Sequence, residues 1–364
     1  MKFLHTADWQ LGIKLRHLSD ENAAQMRLLR YQTIEKIAAV ARAQAADFVL
    51  VAGDVMDDNA LGKDALQKTV DALRAFAGLP VFLLPGNHDA ATEDSALARL
   101  ALPQNVHFLQ TRAPVAVPGG TLFACPLTRR HTLDDPTAWL PRRSREDGIS
   151  IAMAHGGVLN FSEGSDSAVA NLINAEAVIA KGYDYLAMGD WHGLYRHDAR
   201  VWYSGAHEAT RFKEKNPGHV LMVEIAAPGA EPIVTPVGVA QTQWLKWQIH
   251  FTEDHQVDTL AERLAQLEKP SQTLLRIELS GTLSLPARQR CDALLEDYAE
   301  RLVHLRLRGS GILTQPSDAD LAQMGGEPFL DQVIRDLRSG DNAEDCDALL
   351  LLYRLQQEAH HAAA

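Results

Sequence analysis

The segment Val81-Phe82-Leu83-Leu84-Pro85-Gly86-Asn87-His88-Asp89 (VFLLPGNHD, residues 81–89) decides the fold. Four apolar residues run without a break and stop at Pro-Gly. A short apolar run bounded by a turn signal reads as a strand buried on both faces, the pattern of a parallel sheet. A carboxamide, an imidazole and a carboxylate then follow in succession. Such groups seldom serve as packing, so their place directly after a buried strand points to chemistry.

The same arrangement recurs outward from this segment. FVLVAGD (48–54) is an apolar run ending in Gly53-Asp54, with Asp57 three residues on. KFLHT (2–6) leads into Asp8-Trp9-Gln10, ISIAMAHGG (149–157) carries His155, and YDYLAMGDWHG (183–193) carries Asp190 and His192. Residues 21–46 and 63–78 have helical spacing of apolar residues. Strands alternating with helices predict an α/β architecture, in which ligands gather outside the carboxyl ends of the strands. All the unusual polar residues fall at those ends. Residues 201–226 predict two more strands joined by a polar loop.

Beyond about residue 240 the pattern changes. KWQIHF (246–251), LLRIELSG (274–281) and RLVHLRLR (301–308) read as strands, with helices over 256–268 and 286–301 between them. This is a β-α-β-α-β unit, a small second domain. From about 317 the pattern is helical, with breaks at Gly325-Gly326 and Ser339-Gly340. Residues 343–359 carry a leucine stripe, Leu349, Leu350, Leu352 and Leu355. There is no internal repeat.

The 364 residues, 46% hydrophobic and 23% charged, suit one large soluble domain with smaller companions. No apolar run reaches the length of a membrane-spanning helix. The N-terminus meets Asp8 before a signal peptide's apolar stretch is complete. Cys125, Cys291 and Cys346 are too few and too far apart for a zinc knuckle or a disulfide framework. A cytoplasmic protein with no membrane association is expected. The net charge of −12 argues against nucleic-acid binding through overall charge, though not against a local basic groove.

Asp, Asn and His at successive strand ends are ligands for hard-to-borderline divalent ions such as manganese. Two ions roughly 3.5–4 Å apart need a bridging carboxylate and several outer ligands. Asp in a Gly-Asp turn suits the bridge, because glycine lets the backbone approach closely. A neutral Asn oxygen limits the negative charge.

The order D-x-x, GD-x-x-D, GNHD, HG and G-x-x-H resembles the calcineurin-like metallophosphoesterase superfamily. HTADWQLG, GDVMDD and YSGAHEATRF extend the resemblance to the SbcD-type DNA repair nucleases, including the bacterial YhaO-like branch. It is strong over residues 1–240, and by pattern only over 240–315. It implies a β-sandwich flanked by helices over 1–240, a small α+β capping domain over 241–315, and a C-terminal helical region over 316–364. In that family the helical region binds an SMC-like coiled-coil ATPase. The resemblance also implies two divalent ions, most expectedly Mn2+, DNA as substrate, and a homodimer.

Carried over by residue, the resemblance assigns Asp8, His192 and Gln10 to the first metal. Asp54 would bridge, and Asn87, His155 and Asp190 would hold the second. His88 would stabilise or protonate near the scissile phosphate, and Asp57 would orient His88 through a hydrogen bond. Gln10 and Asp190 stand where the family pattern has histidine. Both can still offer oxygen to a metal, and they equally fit an impaired site.

Plainer readings stand beside these. Asp8, Asp54 and Asp57 can cap turns. Trp9 and Trp191 can stack on a base or pack behind the loops. His207 is a packing residue that sits near enough to touch substrate. Arg129, Arg130, Arg142, Arg143 and Arg145 form either a backbone-tracking patch or a solvated loop. The leucine stripe faces either a core or a partner. Three functions follow: a metal-dependent DNA nuclease, a small-substrate phosphodiesterase, and a DNA-end-binding scaffold with an impaired site.

Overall fold

The computed structural model describes residues 1–159, 170–308, 311–314, 328–339, 344–345, 347–353 and 355. The chain divides into two compact units, Met1–Thr242 and Gln243–Ala364. No helix among the described residues is long and apolar enough to cross a membrane.

In chain order the first unit runs β1 (Lys2–Thr6), α1 (Asp20–Ala43), β2 (Phe48–Val51), α2 (Lys63–Arg74), β3 (Val81–Leu83), β4 (Val106–Phe108), β5 (Pro114–Val117) and β6 (Gly120–Cys125). It continues through β7 (Ile149–His155), β8 (Gly157–Val158), β9 (Leu172–Ile173), α3 (Ala175–Ala180), β10 (Tyr185–Gly189), β11 (Tyr195–Arg196), β12 (Val201–Tyr203), β13 (His219–Glu224) and β14 (Ile233–Gly238). These strands build two six-stranded sheets, ordered β14-β13-β1-β2-β3-β4 and β11-β12-β10-β7-β6-β5. The expected strands therefore belong to two sheets, with β1, β2 and β3 parallel in one and β6, β7 and β10 parallel in the other.

Strand periodicity explains the layering. Phe3, Phe48 and Leu50 face the second sheet and pack with Leu122, Ile151, Met153, Tyr185 and Ala187. Their neighbours Leu4, Val49 and Val51 face the opposite way, onto Ile34, Ile37 and Ala38 of α1 and Leu73 of α2. Successive strand side chains point to opposite faces, so a run apolar at every position is covered on both. On the outer face of the second sheet, Ala152, Ala154, Leu186 and Met188 pack with Val178 of α3. The result is a β-sandwich flanked by helices. Each fully buried Leu, Val or Phe contributes about 1.5–3 kcal/mol to it.

α1 starts where Ser19 accepts a hydrogen bond from Asn22 N (3.3 Å) and Asp20 and Glu21 fill the first turn. It ends at Ala43, earlier than the sequence spacing suggests, because Ala45 turns left-handed at φ 53°. His5 points into the sandwich, where its ring nitrogens meet Tyr185 Oη (3.0 Å) and Met188 O (3.2 Å). Burial pushes its pKa down to about 3, so it is a neutral core residue.

The second unit contains β15 (Gln243–Phe251), α4 (Gln256–Ala265), β16 (Thr273–Leu283), α5 (Leu285–Arg301), β17 (His304–Arg308), β18 (Leu313–Thr314) and α6 (Pro328–Ser339). β15, β16 and β17 pair in parallel, and β18 pairs with β16. Leu260 and Leu264 of α4 and Leu295 and Tyr298 of α5 share a core with Leu275 and Ile277. The Gly325-Gly326 break lies outside the described residues. Of the leucine stripe, Leu349 and Leu350 pack with Leu285 and Ile334, Leu352 is half-buried, and Leu355 is exposed. Much of that stripe is thus used inside the chain.

Candidate metal centre

The loops after β1, β2, β3, β7 and β10 meet at one edge of the sandwich. Backbone bonds stitch them together: Asp8 N to Gly53 O (3.1 Å), Gln10 N to Asp54 O (2.8 Å), and Gly156 N to Gly189 O (3.1 Å). Asp8, Asp54 and His155 are buried and offer one ligand atom each, all within 4.8 Å of one another. Asp8, Gln10, Asp54 and Asp190 hold left-handed backbone, at φ 53°, 42°, 52° and 100°. Non-glycine residues seldom do so, and such conformations concentrate at functional sites. Two glycines make the crowding feasible. A Cβ on Gly53 would lie 2.2 Å from His155 Nδ1, and one on Gly86 would lie 2.2 Å from Asp54 Oδ1.

His155 shows what the site is built to hold. Its Nδ1–H donates to Ala52 O (2.9 Å), which fixes the tautomer and leaves the Nε2 lone pair facing inward. Nε2 is buried, has no hydrogen-bond partner, and lies 3.4 Å from Asp54 Oδ1 and 3.7 Å from Asp190 Oδ1. Asn87 Oδ1 is likewise buried without a partner. Buried polar atoms are almost always paired, so an imidazole nitrogen left open beside carboxylates, and an amide oxygen left open in an adjoining site loop, fit a divalent cation.

The electrostatics agree with this. Burial pushes the Asp8 carboxyl up to about 7, with His155 and His192 pulling down and Asp54 and Asp190 adding to the rise. Burial works against protonating His155, but Asp54, Asp8, Asp190 and the Ala52 carbonyl outweigh it and lift its pKa to about 9. Without a cation, Asp8 and His155 hold protons more tightly than usual in its place.

His88 is anchored by its backbone, N–H to Asp54 Oδ1 (2.9 Å), and by its ring, Nδ1 to Asp57 O (2.7 Å). The expected carboxylate clamp is therefore corrected. The Asp57 carbonyl orients the imidazole, while the Asp57 carboxylate oxygen stands 3.8 Å from Nδ1. His88 Nε2 is 4.0 Å from Asp54 Oδ2, and the side chain keeps 27% of its surface exposed. Asp89, the last residue of GNHD, has a role the sequence reading missed. It is fully buried and accepts from Gly86 N (2.7 Å) and Met56 N (3.0 Å), clamping two of the site loops together.

His192 completes the opposite side. Its Nε2 lies 3.3 Å from Gln10 Nε2 and its Nδ1 bonds Glu214 Oε1 at 2.8 Å. Glu214 was also missed by sequence reading. Its carboxylate accepts from Thr210 N (2.8 Å) and the Thr210 hydroxyl as well as from His192. Burial works against the Glu214 charge, but the His192 and Thr210 bonds prevail and hold its pKa below the usual range. Asp190 donates its backbone N–H to both Asp8 oxygens (3.0 and 3.2 Å) and keeps its own side chain 39% exposed.

The structure thus brings together Asp8, Gln10, Asp54, Asn87, His88, His155, Asp190 and His192. It corrects His207, which is fully buried, bonds Arg30 O through Nε2 (3.1 Å) and sits edge-on to Trp9. Burial holds His207 neutral, out of reach of any substrate. Trp9 is also fully buried, stacked on Phe76, with Nε1–H donating to Thr6 Oγ1 (3.0 Å); it packs behind the loops. Buried Arg30 braces them, donating to Trp9 O (2.6 Å) and Glu208 O (2.8 Å).

Comparison with known proteins gives the same answer from another direction. Residues 1–220 match the family described as calcineurin-like phosphoesterase. The chain is 23% identical to the protein described as uncharacterized metallophosphoesterase YhaO of Bacillus subtilis (strain 168), covering 83% of this chain and 77% of that one. With the sandwich, the clustered carboxylates and the open imidazole in hand, the chain belongs to the calcineurin-like phosphoesterases, a family of hydrolases of phosphoric esters that use divalent metal ions.

Proposed function

We propose that this protein hydrolyses phosphodiester bonds of DNA, near strand ends, at a centre of two divalent ions, with manganese the expected metal. The observation that carries the reading is a pair of buried, unpartnered ligand atoms: His155 Nε2, 3.4 Å from Asp54 Oδ1, and Asn87 Oδ1, in the loop whose next residue bonds Asp54 through its backbone N–H. Asp54, central among these groups, would be shared by both ions. Asp8, His192 and Gln10 take one ion; Asn87, His155 and Asp190 take the other. Bound there, divalent ions supply Lewis acidity toward phosphoryl oxygens and lower the pKa of water.

The chain's own residues do the rest. Glu214 and Ala52 O hold His192 and His155 in the tautomers that present Nε2. His88, with Nδ1 turned to Asp57 O, presents Nε2 to the open side, where it stabilises a phosphoryl oxygen or carries a proton to the leaving oxygen. Trp9 and Arg30 keep the first loop rigid from behind.

The choice of DNA, of an SMC-like coiled-coil ATPase partner and of a homodimer is supported by the HTADWQLG and YSGAHEATRF resemblance. One observation favours a second reading, a DNA-end-binding scaffold with a weak first metal: Gln10 turns its amide nitrogen toward His192 Nε2. Rotating that amide by half a turn would present oxygen instead.

The test is hydrolysis of linear DNA and of bis(p-nitrophenyl) phosphate with manganese, in wild type, His88→Ala and Asp54→Ala. The proposal expects wild-type hydrolysis of both and large losses in the variants. Absence of hydrolysis together with absence of bound metal on elemental analysis would leave the scaffold reading. Cleavage of the ester alone would point to a small substrate.

A further inference from the structure

The basic residues that the sequence groups together separate in the fold. Arg142, Arg143 and Arg145 precede β7, at the end of the strand away from His155. Arg143 is used there, donating to Ser150 Oγ (3.0 Å) and lying over Phe123. Arg129 and Arg130 follow β6, which runs parallel to β7 and pairs Cys125 with Ala154. Arg112 precedes β5, which pairs Pro114 with Phe123. Arg112 and Arg129 therefore stand at the same edge of the sandwich as the metal centre.

They line a cleft of about 160 Å³ with the Thr128 and Thr132 side chains, almost wholly polar. That is about ten times the ~15 Å³ a single water needs. Arg112 and Arg129 form no ion pair among the described residues. Among the described residues one acidic group, Asp134, shares the wall. The cleft is tied to the centre: Ala91, three residues after His88, donates its N–H to Leu127 O (2.8 Å). Buried Asn171 fixes the loop, accepting from Thr132 N (2.9 Å) and donating from its amide to Arg130 O (3.0 Å). Its own carbonyl packs where a Cβ on Gly156 would fall. The path from His88 to Arg129 runs over five Cα steps and the Ala91–Leu127 hydrogen bond, at most about 24 Å.

We propose that the Arg112–Arg129 cleft is a second phosphate subsite, holding a non-scissile phosphodiester of a strand that also reaches the metal centre. The inference rests on the phosphodiesterase reading and narrows it to substrates with several phosphates in a row. Two guanidiniums offer planar, bidentate donors to one phosphate, a set that a single-phosphate substrate would leave unused; the Thr132 hydroxyl is held by the Asp134 backbone and shapes the wall.

The experiment measures anisotropy of a fluorescein-labelled oligothymidylate of about ten nucleotides, in EDTA, against salt. It compares wild type with the Arg112→Ala/Arg129→Ala double variant and with Asp134→Asn. The double variant is expected to bind about tenfold more weakly, with a log–log salt slope smaller by about 0.7. Asp134→Asn, which removes the opposing charge, is expected to bind more tightly. With manganese, the double variant's kcat/KM is expected to fall about tenfold more for the oligonucleotide than for bis(p-nitrophenyl) phosphate. Unchanged affinity and slope in both variants, or equal losses on the two substrates, would overturn the subsite. So would relief of inhibition by inorganic phosphate with oligonucleotide binding intact, which would mark a free-phosphate site. Failure of the parent reading looks different: wild type would not hydrolyse bis(p-nitrophenyl) phosphate at all.

Discussion

Replacing Glu214 by glutamine tests whether a residue outside the ligand set controls the metal. The carboxylate serves three donors. Oε1 accepts from His192 Nδ1 and the Thr210 hydroxyl, and Oε2 accepts from Thr210 N. A carboxamide has one acceptor oxygen. If that oxygen stays toward His192, the new NH2 opposes Thr210 N–H, at a cost of about 1–3 kcal/mol for a mostly buried donor without a partner. If it turns to Thr210 N, the NH2 faces Nδ1, and the imidazole must move its proton to Nε2, the atom meant for the metal. Removing such an outer carboxylate lowers metal affinity about 10–100-fold. The assay is calorimetric titration of metal-free protein with manganese, beside the thermal melt of the metal-free form. The reasoning expects a weaker first site and a lower metal-free melting temperature in Glu214→Gln. Wild-type manganese affinity in Glu214→Gln would refute it.

Two further outcomes follow from the site's electrostatics and geometry. Between pH 7 and 9 the metal-free folded protein should hold more protons than the unfolded chain, because His155 is raised from 6.5 to about 9 and Asp8 to about 7. Stability contributed by protonated His155 is fully present below 6.5 and is lost as pH rises through 9. The melting temperature in EDTA should therefore fall across that window while manganese affinity rises with proton release; a flat profile for both would contradict the assignment. Asp57→Asn leaves the backbone carbonyl in place and should change turnover by no more than about threefold, whereas His88→Ala should cost about 100-fold or more in kcat; equal losses would restore the carboxylate to the orienting role.

The sequence exposed those parts of the site that follow buried strands. Asp8, Asp54, Asn87, His155 and His192 each interrupt an apolar run, and tertiary contact is not needed to see that. Glu214 gave no such sign. It lies in the polar loop YSGAHEATRFKEKNPG, among Lys213 and Lys215, where a glutamate looks solvated; only the need of His192 for an acceptor on Nδ1 could have pointed to it. Arg30 was hidden in the same way. Inside a helix an arginine reads as surface, and its burial against Trp9 O and Glu208 O depends on loops distant in sequence. Asp57 shows the opposite error. Its spacing from Asp54 suggested a working carboxylate, yet what reaches His88 is the main chain, which any residue there would supply. Strand identity was legible and the resemblance implied a sandwich, but which strand joins which sheet was not, because β2 and β7 are equally apolar and only pairing tells them apart.

Asp8, Gln10, Asp54 and Asp190 are four of the eight non-glycine residues with left-handed backbone among the described residues. Glycine at Gln10 or Asp190 would relieve conformational strain of about 1 kcal/mol or more and delete a proposed ligand, whereas at Asp8 or Asp54 it would also orphan the Asp190 or His88 N–H. Directed evolution for heat resistance would therefore find gains at those two positions, inside the candidate metal centre, at the expense of metal binding. Any such campaign on this chain needs metal retention as a selection criterion from its first round.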